Sequence, residues 1–332
     1  MLITSHLTGA SFYNQANIHP DIRVFNLIQK SLILLLQMLY DPTVTEAFIN
    51  SPNPGCDCVD ACSDPLVCAC LIRSRGRNYD PDANILLQLQ SPQSSFDRPV
   101  YECNSRCACR KDKCHNRLVQ LLHRNKGALV PYNAEAKGRG VRASRAFCRG
   151  EFVCVFSGHY MKPDIELAQA LASKQRRRWH NVYIMVVREI VVDTFQDAFT
   201  TIVNGAHKVR SVHTGLRRTS LINHSCNPNM QVIPVRVDTV QPFLAFFAIR
   251  DIAEGEELTY DYFKMSREKT VRGAKACRCG TLPCSRRVRK FCFISVRIVN
   301  MHCLLRLFCG SKFAINDTGR VNRKCVMWGS SF

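Results

Sequence analysis

Nine cysteines between residues 56 and 114 have the spacing of metal ligands. They form two groups, Cys56-x-Cys58-x3-Cys62-x5-Cys68-x-Cys70 and Cys103-x3-Cys107-x-Cys109-x4-Cys114. Single zinc fingers use four ligands in two pairs, so nine crowded cysteines predict a shared cluster instead. Three tetrahedral Zn²⁺ ions need twelve ligand positions, which nine thiolates supply when three of them bridge two ions each. Because sulfur fills every position, we expect this cluster to stabilise the fold rather than bind a substrate.

Three further cysteines indicate a separate site that lacks one ligand. Their pattern is Cys277-x-Cys279-x4-Cys284, and Cys226, which ends the segment Asn-His-Ser-Cys, is the candidate for the fourth ligand. A zinc ion shared by these four thiolates would hold the C-terminal segment against the domain that contains Cys226. For the nine-cysteine group, the alternative of unrelated buried or disulfide-bonded cysteines is disfavoured by its C-x-C doublets and by a reduced compartment.

The composition predicts a basic protein of a reduced compartment. There are 19 cysteines, but residues 1–10 lack the positive start of a secretory signal. The most apolar stretch, Ile22 to Tyr40, is interrupted by polar residues and predicts a buried or amphipathic helix, not a membrane span. The formal charge of +20 indicates an acidic partner such as DNA, and a solvated basic surface is the alternative. Thirteen thiolates and the four Zn²⁺ ions that they bind would together lower this charge by only about 5, to about +15.

Changes in composition divide the chain into five parts. We predict an N-terminal extension (1–54), a zinc-cluster segment (55–117), a mainly β domain (118–264), a second zinc segment (273–289) and a basic tail of unknown structure (290–332). The β domain is predicted from short apolar and aromatic runs bounded by turn residues, at 152–156, 182–187 and 243–249. Its one clear helix is predicted over Ile165 to Trp179, which is rich in helix-forming residues.

Four short blocks between residues 99 and 262 carry a recognisable pattern. They are Pro99–Asn104, Lys137–Val141, Asn223–Asn229 and Gly255–Tyr262. In these blocks and their order the sequence resembles the SET-domain histone lysine methyltransferases that have cysteine-rich pre-SET and post-SET segments. It is most similar to the SET half of the SET–mariner transposase fusion, and no transposase half is expected in this chain. The resemblance implies a mainly β fold of small sheets with a pseudoknot, flanked by a tri-zinc pre-SET cluster and a post-SET zinc site.

The resemblance also implies a role for individual residues. Zinc pairs would be bridged by Cys56, Cys62 and Cys103, and a fourth ion would be held by Cys226, Cys277, Cys279 and Cys284. The cofactor S-adenosylmethionine would be bound by Lys137, Gly138, Arg139, Tyr183, Asn223 and His224. The expected partners are the histone H3 tail, the nucleosome and DNA, with no membrane, and the expected location is the nucleus and chromosomes.

Two tyrosines are the candidate catalytic residues. Methyl transfer from a sulfonium requires alignment of a neutral lysine amine, although lysine normally titrates near 10.4. The resemblance implies that the Tyr262 hydroxyl stands at the lysine channel; a tyrosine packed in the core is the alternative. Tyr260 matches the position of a phenylalanine/tyrosine switch, where a hydroxyl can hold a water and crowd out further methyl groups. We therefore expect mono- and dimethylation, and the resemblance implies lysine 36 or lysine 9 of histone H3 as the substrate.

Two hypotheses for function remain open. The first is an active histone lysine N-methyltransferase, favoured by the intact Tyr262, Asn223 and His224. The second is a catalytically inactive zinc module that binds chromatin or DNA through its basic surface. The stretch from Thr200 to Ser220 favours the second hypothesis, because it is longer than its counterparts and carries Ser220 where the family has an arginine.

Overall fold

The fold is described from a computed structural model. It describes residues 39–40, 52–59, 61–92, 96–125, 127–179, 182–191, 197–206, 216–262, 275–282, 284, 287–288 and 292–298. Most of the predicted N-terminal helix, part of the long stretch between 200 and 220 and most of the predicted basic tail lie outside these residues. No helix in the part of the chain that the structure describes has the length and apolar composition that a membrane crossing needs.

The described residues are mostly strands. The strands are β1 (Leu39–Tyr40), β2 (Val100–Tyr101), β3 (Leu129–Asn133), β4 (Arg139–Ala143), β5 (Phe152–Val155), β6 (His159–Met161), β7 (Ile184–Val191), β8 (Asp197–Asn204), β9 (Asn223–His224), β10 (Met230–Arg236), β11 (Phe243–Ala248), β12 (Thr259–Tyr260), β13 (Lys275–Ala276), β14 (Arg287–Val288) and β15 (Cys292–Ile298). The helices are α1 (Ala69–Ser74) and α2 (Ile165–Trp179), and 3₁₀ segments lie at Leu87–Leu89, Val119–Asn125, Glu135–Lys137 and Leu216–Leu221. The mainly β class and the helix over Ile165–Trp179 are confirmed.

Two larger sheets form the centre of the protein. One has the strand order β1-β6-β8-β7-β15, and the other has the order β5-β11-β10-β12-β9 with β2 added beside β10. The small sheets β3-β4 and β13-β14 are hairpin pairs. Every residue of β11 is buried, as expected for a strand covered on both faces and composed of apolar residues.

A buried ion pair joins the two larger sheets. Arg236 at the end of β10 donates through Nη1 and Nη2 to the two carboxylate oxygens of Glu189 in β7, at 2.9 and 2.7 Å. The side chains are 7% and 2% exposed, and the rings of Tyr101 and Phe199 lie 5.6 and 5.2 Å from the guanidinium carbon. Two parallel bonds satisfy both charges, as a buried pair requires.

Helix α2 covers one face of the sheet that contains β7. The backbone N–H of Leu167 donates to the Asp164 carboxylate at 2.9 Å, so Asp164 acts as the N-cap. Ala168 and Ala172 are buried against a cluster that includes Ile184, Val186 and Ile202. Three arginines, at residues 176–178, lie in the last turn of the helix, where the negative end of the helix dipole favours cations.

The first strand corrects one sequence-based prediction. Leu39 and Tyr40 form β1, parallel to His159 and Tyr160 of β6, so the helix predicted over Ile22 to Tyr40 is wrong at its C-terminal end. The apolar pattern of that stretch fits a buried strand as well as a buried helix, and pairing with a sheet edge decides between them. Residues 22–38 lie outside the described residues.

Candidate active site and metal centres

The turn between β3 and β4 presents the first group of predicted site residues. Lys137 ends a 3₁₀ segment, and Gly138 follows it with a φ of 79°, a left-handed conformation that favours glycine. The ammonium group of Lys137 forms an ion pair with Glu257 in a partly buried position. Glu257 accepts a second hydrogen bond, at 3.0 Å, from the side-chain amide of Asn223. Asn223 also donates to the carbonyl of Arg139 at 3.3 Å.

Gly140 allows this close packing. A Cβ atom at this position would lie 2.8 Å from the ring of Tyr132, 2.9 Å from the amide nitrogen of Asn223 and 3.0 Å from a carboxylate oxygen of Glu257. Residues Lys137, Arg139 and Asn223 are therefore brought together, and Glu257 is the side chain that connects them. Glu257 lies in the sequence block Gly255–Tyr262, but no role was predicted for its side chain.

The segment that contains His224 pairs with the strand that carries the tyrosines. β9 is parallel to β12, with Asn223 beside Thr259 and His224 beside Tyr260, which joins the two segments of the expected pseudoknot. His224 accepts a hydrogen bond at Nδ1 from the backbone N–H of Tyr262 at 3.2 Å, so the neutral ring carries its proton on Nε2. That nitrogen lies 3.3 Å from the Cys226 sulfur. Burial lowers the pKa of His224 and so favours the neutral ring.

The two predicted catalytic tyrosines are in contact. Their ring centroids are 4.6 Å apart, and the His224 ring lies 5.3 Å from that of Tyr262. The Tyr262 hydroxyl donates to the carbonyl of Ile222 at 2.7 Å. The buried Cys292 thiol, which the sequence did not place in the site, lies near enough to both tyrosines to affect the pKa of their hydroxyls.

Burial keeps both tyrosine hydroxyls neutral. Desolvation, followed by the nearby Cys292 thiol, raises the pKa of Tyr260 and of Tyr262 above the ordinary tyrosine value. Tyr183 contributes to the same effect on Tyr262, so this predicted cofactor residue also lies in the cluster. The backbone of Tyr183 is held in place by Gln175 of α2, whose side-chain oxygen accepts its N–H at 2.9 Å.

The nine pre-SET cysteines form one cluster, in which all but the partly buried Cys58 and Cys107 are buried. Three sets of four sulfur atoms lie within 4.8 Å of one another: Cys56, Cys58, Cys62 and Cys68; Cys56, Cys68, Cys70 and Cys103; and Cys56, Cys62, Cys103 and Cys109. The Cys56 sulfur is 3.9 Å from those of Cys62 and Cys103. Ligands around a tetrahedral zinc with bonds of about 2.3 Å are about 3.8 Å apart, so the spacing fits this metal.

Cations and N–H groups face the sulfur atoms of this cluster. Arg73 and Arg117 donate to the sulfurs of Cys70 and Cys109 at 3.2 and 3.4 Å, and both arginines are buried. Asn116 donates to the Cys103 sulfur at 3.6 Å. Such donors are expected around thiolates, because zinc-bound thiolates in excess of the metal charge need further neutralisation.

The four cysteines predicted to form the second site also meet. The sulfurs of Cys226, Cys277, Cys279 and Cys284 lie within 4.8 Å of one another. Cys226 and Cys277 are 51 residues apart in sequence, yet their sulfurs are separated by 3.8 Å. Burial opposes ionisation of Cys279, but hydrogen bonds from Thr281 and from backbone N–H groups lower its pKa to about 6. The four sulfur atoms have the number and spacing that a tetrahedral zinc site requires, so this donor set also fits.

Known protein families match both the segment with the nine clustered cysteines and the domain with the two tyrosines. A family model described as "SET domain" matches residues 138–263, and one described as "Pre-SET motif" matches residues 9–117. The histone-lysine N-methyltransferase SETMAR of Bos taurus is 34% identical over 245 residues, which cover 70% of this chain and 73% of that protein. The chain belongs to the SET-domain histone-lysine methyltransferases.

Solved structures of SET-domain methyltransferases share the fold. The methyltransferase domain of human SETMAR matches with a TM-score of 0.57 and 29% identity, covering 78% of this chain and 88% of that one. KRYPTONITE, in a complex with mCHH DNA, an H3(1-15) peptide and SAH, matches with a TM-score of 0.52 and 25% identity, covering 76% and 46%. The chain spans 62% of the length of mouse SETMAR and 33% of human SETMAR.

In this SET-domain protein, the two family-model matches cover different groups of site residues. The pre-SET match contains all nine clustered cysteines, and the SET match contains both tyrosines, Asn223 and His224. Cys277, Cys279 and Cys284 lie beyond the SET match, so it is the geometry of their sulfurs around Cys226 that brings them into the site.

Proposed function

We propose that this protein transfers a methyl group from S-adenosylmethionine to a lysine of histone H3. The observation that carries the proposal is the contact between Tyr260, Tyr262 and His224 beside the segment that holds Asn223. Membership of the histone-lysine methyltransferase family supports the same reaction. The histone substrate also makes a nuclear, chromosomal location the expected one, with H3, the nucleosome and DNA as partners.

The cofactor-binding role is proposed for the residues around the β3-β4 turn. Lys137, Gly138, Arg139, Tyr183, Asn223 and His224 would hold the cofactor, and Glu257 would keep Lys137 and Asn223 in place. When bound, S-adenosylmethionine supplies an electrophilic methyl group on a positively charged sulfur. The Glu257 contacts would hold these polar groups in position before the cofactor binds. Little free energy is then spent on rearranging the site.

Tyr262 is proposed to orient the acceptor amine. The acceptor must be neutral to attack, and desolvation in a channel lined by Tyr260 and Tyr262 would favour the neutral amine. Because burial raises the pKa of Tyr262, its hydroxyl stays protonated and uncharged. An uncharged hydroxyl can make a hydrogen bond with the amine without stabilising the ammonium form as a tyrosinate would. Alignment of this kind is the main requirement of an in-line displacement.

Tyr260 is proposed to limit the product to mono- and dimethyl-lysine. Its hydroxyl lies next to Tyr262, and the residue as a whole is 4% exposed. A polar group here can retain a water molecule in the space that a third methyl group would need.

Four zinc ions are proposed to stabilise the site from two sides. The pre-SET cluster would hold three, with Cys56, Cys62 and Cys103 as bridging ligands, and the post-SET cysteines would hold one. Nine thiolates and three Zn²⁺ ions leave about three negative charges, which the buried Arg73 and Arg117 would partly offset. The post-SET zinc would fix Cys226, two residues from His224.

The direct test is methyl transfer from labelled S-adenosylmethionine to recombinant nucleosomes and free histones. Histone H3 in which lysine 9 or lysine 36 is replaced by arginine identifies the modified lysine. Tyr262→Phe should abolish the label, whereas Tyr160→Phe should retain it. The second change removes the same kind of hydroxyl-to-carbonyl hydrogen bond, to Pro242 at 3.0 Å, outside the site. Absence of label from a folded, zinc-loaded protein would favour the inactive chromatin-binding module instead.

A further inference from the structure

The strand β15 occupies an unexpected place in the sheet. It belongs to the basic tail, for which the sequence predicted no structure. β15 runs parallel to β7 over seven residue pairs, from Cys292 beside Met185 to Ile298 beside Val191. In the sheet as the structure describes it, β15 is the last strand after β7. The edge of β7 is therefore filled by a segment of the same chain.

β15 begins at the two catalytic tyrosines. The backbone N–H of Phe293 donates to the carbonyl of Tyr262 at 2.8 Å. The preceding residue, Cys292, is 6% exposed, and its thiol lies near enough to Tyr260 and Tyr262 to raise the pKa of both hydroxyls. A strand at this position thus presents its first side chain to the tyrosine pair.

The side chains of β15 alternate as a docked strand requires. Cys292, Ile294 and Val296 are 6%, 2% and 4% exposed and share a face with the buried residues opposite them in β7. Phe293 points to the other face, where it packs with the core cluster under α2. The Arg188 guanidinium lies 4.8 Å from the Phe293 ring. These contacts hold the strand by main-chain pairing and by pockets for alternate side chains.

We propose that β15 occupies the edge of β7 at which the acceptor peptide docks, with Cys292 in the position of the acceptor lysine. The inference rests on the proposed function, because that reaction requires a peptide side chain to reach Tyr262. An extended peptide that runs along β7 from this point would replace β15 pair by pair. A lysine is three atoms longer than cysteine, so its amine would extend beyond the point that the thiol reaches.

Occupation by β15 makes peptide binding a competition. Only molecules whose β15 has left the edge can bind the peptide. The apparent peptide affinity is therefore the intrinsic affinity multiplied by the fraction of such molecules. The peptide residues that follow the acceptor lysine would pair with β7, since β15 runs away from the tyrosines in this direction.

The test is Ile294→Lys in the full chain, which places a charge at a buried position of β15. We expect the affinity for a fluorescent H3 tail peptide, measured by anisotropy with saturating S-adenosylhomocysteine, to increase at least about fivefold. The KM for the peptide should fall while kcat changes little. Ile72→Lys makes the same substitution at a 44% exposed position of α1 and should leave the peptide affinity unchanged.

Hydrogen exchange on the unaltered protein gives a second test, which does not depend on a variant that folds. Saturating H3 peptide should raise amide exchange at residues 293–296 and leave β7 protected. Retained protection of β15 with peptide bound would overturn the inference, as would unchanged peptide affinity in Ile294→Lys. Failure of the unaltered protein to bind S-adenosylhomocysteine would instead count against the proposed function.

Discussion

The Tyr260 hydroxyl is expected to set the number of methyl groups transferred. Tyr260→Phe removes it without changing the ring that packs 4.9 Å from Phe246. The loss of one hydrogen bond to a channel water is worth about 1 kcal/mol or slightly more, so trimethyl product should rise about tenfold relative to dimethyl product. A mass-spectrometric time course measures the ratio. Dominant trimethylation by the unaltered protein would contradict this role.

The pH dependence of methylation should follow the acceptor and not Tyr262. The neutral fraction of a free lysine rises about tenfold per pH unit below its pKa of about 10.4. A raised pKa means that the Tyr262 hydroxyl keeps its proton to higher pH, so no tyrosine deprotonation should limit the rate below about pH 10, the ordinary tyrosine value. kcat/KM should therefore rise between about pH 7 and 9. A decline over this range in a protein that remains folded would exclude a neutral Tyr262 hydroxyl.

Glu257 offers a test of the cofactor-binding residues. Glu257→Gln removes the charge opposite Lys137 in a position that is only 19% exposed. Hydrogen bonds to charged groups contribute about 1.5 to 3 kcal/mol, so S-adenosylmethionine binding should weaken about tenfold or more by calorimetry. Glu254→Gln changes an exposed carboxylate in the same loop and should have no effect.

Sequence motifs identified the proposed catalytic and cofactor-binding residues more fully than the residues that hold them in place. Tyr260, Tyr262 and His224 stand in blocks whose order carries the information. Glu257 was visible in such a block, but only the fold shows that it faces Lys137, 120 residues away. Cys292 was not predictable, because its contact with Tyr260 depends on how the tail pairs with β7.

Secondary structure was predictable where composition and length agreed. The bounds of α2 match the prediction because a capped, fifteen-residue stretch of helix formers has few alternatives. α1 has six residues and no apolar periodicity of its own, so the surrounding cysteine cluster determines it. The structure of the β15 segment was not predicted for a related reason. Its mixed apolar and basic residues form a strand only because β7 lies beside them.

The buried ion pair between the two larger sheets should be costly to break. Glu189→Gln leaves Arg236 charged and buried, which is expected to lower the free energy of unfolding by about 3 to 5 kcal/mol. Replacing both residues by methionine should recover much of this loss. Urea unfolding measures each change. Asp112→Asn, which alters an exposed pair with Arg110, should leave the midpoint unchanged.

Zinc removal should affect the whole molecule. A strong chelator is expected to abolish S-adenosylmethionine binding and broaden the thermal transition monitored by circular dichroism, and added Zn²⁺ should restore both. Metal analysis should find four zinc ions per chain. Cys103→Ser should reproduce the effect of chelation, whereas Cys148→Ser changes an exposed cysteine outside both clusters and should not. Full cofactor affinity in a metal-free protein would refute the structural role.

At the scale of the molecule, the family motifs predicted more than composition could. The charge and the cysteine content indicated a basic metal-binding protein, and the ordered blocks added the SET fold. The arrangement of the sheets followed from neither, because long-range pairs such as Glu189 with Arg236 depend on the complete topology.

The contacts of Asn53 can form only late in the synthesis of the chain. Its side-chain amide is buried and donates to the carbonyls of Val237 and Thr239, 184 and 186 residues further along the chain. At about 5 to 20 residues per second, a ribosome needs roughly 10 to 40 s to make that interval. For the later part of this time, once Cys114 has been made, the nascent cysteine cluster is complete but lacks the sheet on which it rests. If the cluster binds zinc as proposed, its thiols must stay reduced and be able to take up the metal before translation ends.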